Sequence, residues 1–117
     1  MARKILIVED EPDISKFLRR LLEDNGYEIF TASDGREALE VLRDKRPDLV
    51  TLDLMMPNET GTRFYRKMVQ QKEFKDLPVI VVSGLAGRNL AVTRPFAVLD
   101  KPIDKERLLE EVQKAIG

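Results

Sequence analysis

Ile5-Leu6-Ile7-Val8, Leu49-Val50-Thr51-Leu52 and Val79-Ile80-Val81-Val82 are short, near-continuous apolar runs without polar alternation. Strands of this kind are buried on both faces, which a parallel sheet allows only when helices cover both of its sides. Each run also ends on a polar group: Glu9-Asp10-Glu11 after the first, Asp53 after the second and Ser83-Gly84 after the third. A further run, Phe96-Ala97-Val98-Leu99, exits on Asp100-Lys101-Pro102. Glu28 to Ala32 mixes polar and apolar positions, as a less buried edge strand would.

The segments between the runs read as helices. Pro12 suits a first helical turn, and Ile14, Phe17, Leu18, Leu21 and Leu22 recur at the spacing of one apolar face, with Asn25-Gly26 as a left-handed stop. Asp34 and Glu37 have capping-box spacing before Ala38, Leu39 and Leu42, and Arg46-Pro47-Asp48 ends that second helix. After Pro57, Asn58-Glu59-Thr60-Gly61 reads as a polar loop, followed by Phe64, Tyr65, Met68 and Val69 at helical spacing. The stripe of Arg63, Arg66 and Lys67 on that third helix reads as a solvated face. Residues 85–94 leave room for only a short or irregular helix near residues 88–93, between Gly84, Gly87 and Pro95. Asp104 caps the last helix, with Ile103 and Leu108 spaced as a hydrophobic staple and Leu109, Val112 and Ile116 on its inner face.

Five strands alternating with five helices predict a single doubly wound α/β domain over residues 1–117. In such a sheet the strand exits share the carboxyl edge, where open α/β folds bind ligands. The available chemistry is narrow. Cysteine and histidine are both absent, which excludes disulfides, thiolate sites and imidazole bases. Lys and Arg number 20 against 21 Asp and Glu, a net charge of −1 that is a poor footprint for nucleic acid. No apolar run approaches a membrane span and the N-terminus leads directly into a strand, so the chain is expected to be cytoplasmic.

Glu9, Asp10, Asp53, Ser83 and Lys101 thus bring carboxylates, a hydroxyl and an ammonium group from four strand exits to one edge. Each has a plainer reading: the acidic cluster as a cap of the first helix, Ser83-Gly84 as a turn, Lys101-Pro102 as a solvated lysine before a helix. In register on a repeated βα pattern, however, Val8-Glu9-Asp10-Glu11-Pro12, Leu52-Asp53 through Met56-Pro57 to Gly61, Ser83 and Lys101-Pro102 resemble the receiver domain of bacterial response regulators (CheY-like). The resemblance covers essentially the whole chain. It implies strand order 2-1-3-4-5 with a ligand crevice between strands one and three.

The resemblance further implies that Asp53 accepts a phosphoryl group from a phosphohistidine of a sensor histidine kinase or phosphotransfer protein. Mg²⁺ would be held by Glu9, Asp10, Asp53 and the backbone carbonyl of Met55, with Glu9 acting partly through water. Ser83 and Lys101 would contact the phosphoryl oxygens, and the Lys101–Pro102 bond would be cis. The kinase would dock on the exposed side of the first helix, including Ser15, Lys16 and Arg19. A target protein or effector domain would lie downstream. Oligomeric state stays open.

Two departures from the family pattern fall on the surface that usually transmits the signal. Val98 stands where receivers carry a mobile Tyr or Phe, and the interval from Ser83 to Lys101 is short. The chemistry is therefore expected to be retained while the face formed by the fourth and fifth helices and fifth strand transmits by backbone displacement. Met55 and Leu85, both apolar, would not orient an attacking water, so slow autodephosphorylation is expected. The competing reading is a phosphate-independent interaction module with an atypical output face. A metal-dependent phosphatase fits less well, because Met55 occupies the position where an Asp-x-Asp enzyme carries its second acid.

Overall fold

The computed structural model describes residues 2–54, 56, 60–83 and 95–117. In chain order the described elements are β1 (Lys4–Val8), α1 (Pro12–Asp24), β2 (Glu28–Ala32), α2 (Gly35–Lys45), β3 (Leu49–Leu52), α3 (Thr60–Gln70), β4 (Val79–Ser83), β5 (Ala97–Asp100) and α4 (Lys105–Ile116). The strands form one parallel sheet in the order β2-β1-β3-β4-β5. This is the flavodoxin-like order that the resemblance implies, with β2 on an edge. The short helix expected near residues 88–93 lies outside the described residues.

Alternation along the central strands sorts the core into two layers. Leu6, Val8, Val50, Leu52, Val79 and Val81 point to one face, where Ala38 and Leu42 of α2 and Phe64 and Met68 of α3 cover them. Ile5, Ile7, Leu49, Ile80, Val82 and Leu99 point to the other, under Leu18 and Leu22 of α1 and Leu108 and Val112 of α4. A strand sandwiched in this way has no solvent face, which is why its sequence shows no polar alternation.

The helix ends follow their local chemistry. The Asp34 carboxylate accepts from Glu37 N–H at 2.9 Å, and Glu37 reaches back to accept from Ser33 N–H at 2.6 Å, a reciprocal cap set one residue earlier than the usual box. Asp104 accepts from the N–H groups of Glu106 and Arg107, and Ile103 packs into the same layer as Leu108, as a staple should. Gly26 ends α1 at φ +93°, where a side chain would be strained.

Three expectations need correction. Phe17, placed on the apolar face of α1, is 44% exposed; Leu18 and Leu22 carry the contact with the sheet, and Phe17 falls at the margin of that stripe. Thr60 and Gly61, read as loop, are the opening residues of α3. Phe96, expected to start the fifth strand, precedes it and is 43% exposed, since β5 begins at Ala97.

Candidate phosphoacceptor and metal site

Parallel register brings the strand exits level. Val8 is opposite Leu52, so Glu9 and Asp53 leave adjacent strands side by side. Their backbones are tied to neighbouring strands: Asp53 N–H donates to Val8 C=O and Glu9 N–H to Ala32 C=O, each at 3.0 Å. Both side chains are buried, Glu9 3% and Asp53 2% exposed. On the other side of the crevice β4 pairs with β5, with Ser83 opposite Asp100. Lys101 follows immediately.

The Lys101 ammonium closes the cluster. It donates to Asp53 Oδ2 at 3.1 Å and lies 3.2 Å from Glu9 Oε1 and 3.9 Å from Glu11 Oε1. A half-buried cation among carboxylates interacts more strongly than one in water, because less solvent screens it. Burial alone would lower the Lys101 pKa, but the Asp53 and Glu9 carboxylates outweigh it and hold the ammonium above its ordinary value. Glu9 moves the other way for an acid. Burial pushes it up from 4.5 to about 7, reinforced by Asp53 and opposed by the Glu11 N–H and Lys101.

Oxygen atoms of Glu9, Asp10 and Asp53 all lie within 4.8 Å of one another. Glu9 Oε1 is buried, and although it is near the ammonium it receives no hydrogen bond. A buried carboxylate oxygen with unused acceptor capacity, among hard oxygen donors, is what a divalent cation such as Mg²⁺ satisfies. The acidic cluster therefore fits a metal. Glu9 Oε2 also accepts the Glu11 N–H at 3.2 Å, but Glu11, the N-cap of α1, makes no side-chain cap hydrogen bond, so the acidic cluster is not a helix cap.

Gly61, read as a turn former and as the last residue of the Asp53 motif, packs directly against the exit of β3. A Cβ at this position would meet the Asp53 backbone oxygen at 2.5 Å and the Leu54 Cα at 3.3 Å. The first turn of α3 can approach Asp53 only without a side chain there. Nothing in a single glycine between polar residues signals such an approach, which exists only after the helix packs. The Lys101–Pro102 peptide bond is cis, as the resemblance implies. Ser83 is the last residue of β4 rather than a residue beyond it, and Met55 and Leu85 lie outside the described residues.

Residues 5–113 match the family described as Response regulator receiver domain. The chain belongs to that family. It is 39% identical over 117 residues to Protein Rrf1 of Nitratidesulfovibrio vulgaris, covering all of this chain and 85% of the relative. It is 31% identical over 121 residues to the polar-differentiation response regulator DivK of Brucella anthropi, covering 100% of this chain and 98% of that protein. Among solved structures, Vibrio cholerae chemotaxis protein CheY4 superposes with a TM-score of 0.89 at 31% identity over 99% of this chain and 100% of that one. The protein is thus a receiver domain of two-component signalling, a signalling phosphoacceptor rather than a classical enzyme, and its family implies a histidine kinase partner. No helix among the described residues is long and apolar enough to cross a membrane.

Proposed function

We propose that the chain is a phosphorylation switch whose acceptor is Asp53. One observation carries the reading: the buried Asp53 carboxylate is 3.1 Å from the Lys101 ammonium and shares its strand-end crevice with Glu9 and Asp10. In the transfer, an Asp53 carboxylate oxygen attacks phosphorus as the N–P bond to the donor imidazole breaks, leaving an acyl phosphate and a histidine that takes a proton. Lys101 pairs with the phosphoryl oxygens in place of the carboxylate it holds, and Ser83, by the family pattern, is the residue that would supply a hydroxyl donor to them. Glu9, Asp10, Asp53 and the Met55 carbonyl are the residues that would hold Mg²⁺, which when bound supplies positive charge against the phosphoryl oxygens.

Signal leaves through β4 and β5. Because Ser83 is paired with Asp100, a displacement at the end of β4 reaches the residue before Lys101 directly. Val98 has no ring to reorient, so the response of this face is a backbone displacement. Lys16 and Arg19, the latter paired with Glu23 at 3.2 Å, are exposed on α1 and Ser15 is half-buried, an accessible surface that suits docking of the kinase.

Incubation with Mg²⁺ and acetyl phosphate, followed by intact mass measurement, tests the acceptor. The expected product carries one phosphoryl group, requires Mg²⁺ and is absent from Asp53→Asn. A wild-type protein that takes up no phosphoryl group and does not respond to beryllofluoride would instead favour a phosphate-independent interaction module.

A further inference from the structure

Arg63, Arg66 and Lys67 of α3 are exposed, as a solvated stripe should be, but two of them also border a cleft. Arg63 and Lys67 converge with Arg36 of α2 around a cleft of about 260 Å³, whose accessible apolar surface comes from the partly exposed Leu39, with Gly35 and Phe64 buried beneath it. The cations come from two helices, in a chain whose net charge is −1, so this is a local concentration of positive charge rather than a general one. Little of it is neutralised. Glu40 is 3.9 Å from Arg36, but both side chains are largely exposed, and Glu37 is occupied by Ser33. Among the described residues no carboxylate pairs with Arg63, Arg66 or Lys67.

We infer that this α2–α3 cleft docks an acidic segment of a partner protein, with one bulky apolar side chain against the partly exposed Leu39 and the aliphatic stems of Arg63 and Lys67, and flanking carboxylates on the charged ends of Arg36, Arg63 and Lys67. Charge complementarity selects the acidic residues, and guanidinium groups suit carboxylates through paired donors. The apolar surface selects the anchor. Nucleic acid fits less well: Phe64 is only 1% exposed and offers no stacking surface, and three cations around a concave apolar patch do not make a track for a phosphate backbone. The site is separate from phosphoryl transfer and needs neither Mg²⁺ nor a phosphodonor.

A titration of the full ¹⁵N-labelled chain with the peptide acetyl-Glu-Asp-Leu-Leu-Glu-Phe-Asp-Asp-amide tests it. Amide shifts are expected in residues 35–39 and 61–67, with affinity that falls as salt rises. Arg63→Glu with Lys67→Glu, both exposed and so compatible with folding, should weaken binding about tenfold or more. Arg66→Glu, in the same stripe but outside the cleft, should change it by less than about twofold. A peptide with Lys replacing every acid, or Ala replacing Leu and Phe, should bind far more weakly. Equal losses from R66E and R63E/K67E, shifts elsewhere, tighter binding of an oligothymidylate, or self-association abolished by the same substitutions would each overturn the proposal.

Discussion

The two halves of the sheet do different work. β3 is buried at every position and β1 at every position after Lys4, and the backbones of Glu9 and Asp53 are bonded to neighbouring strands as they leave. β5 is an edge strand in which Ala97 and Val98 are only partly buried and Asp100 is exposed, and it delivers Lys101, whose long side chain reaches across to Asp53. The centre fixes carboxylates by packing. The edge supplies a cation on a looser support. A reacting carboxylate gains from being held in one place, because transfer depends on positioning, whereas an element that must respond gains from resting on few contacts.

Core truncation should separate the halves most strongly. Leu52→Ala, which empties space under α2 and α3 one residue before Asp53, is expected to cost about 3 kcal/mol in urea unfolding, whereas Val98→Ala costs about 1 kcal/mol. Equal losses would erase the distinction. Gly61→Ala comes next. The added Cβ forces the first turn of α3 away from Asp53, with an expected loss of about 2 kcal/mol and slower phosphorylation, both measured on the same sample.

The pH dependence follows from Glu9. Its folded pKa of about 7 exceeds the unfolded value of 4.5, so between these the folded state holds a proton that the unfolded state has released. Stability is therefore greatest on the acid side and falls as pH rises from about 5 to 7, by roughly 2 kcal/mol from this group. Glu9→Gln should flatten that slope. Added Mg²⁺ should raise the melting temperature above pH 7, where the ionised carboxylates need a counter-charge. The smallest effect is expected at Arg46 and Glu73, paired at 2.9 Å on the surface. Glu73→Gln should cost no more than about 0.5 kcal/mol, since solvent screens the pair.

What the sequence made legible had local causes. Uninterrupted apolar runs announced strands covered on both sides, Asp34, Gly26 and Asp104 marked helix ends, and the polar residue after each run marked the sheet edge at which Glu9, Asp53 and Lys101 meet. What stayed hidden depended on packing between distant segments. Periodicity put Phe17 on the inner face of α1 but carried no information on how far the neighbouring elements extend over it. Gly61 stood in the family motif, but the physical reason for a glycine there appears only once α3 lies against Asp53. Arg63 and Lys67 are solvated as read, but the cleft they border needs Arg36 and Leu39 from another helix and so has no local signal. The raised pKa of Glu9 likewise arises from burial and from Asp53, 44 residues away in sequence.

Site-resolved amide exchange, with and without beryllofluoride and Mg²⁺, tests the central claim that a fixed acceptor drives a responsive edge. Protection should change at Val98, Leu99 and Asp100 of β5 and stay constant at Ile5 to Val8 and at Leu49 to Leu52. Unchanged exchange in β5, or an equal change in β1 and β3, would contradict it.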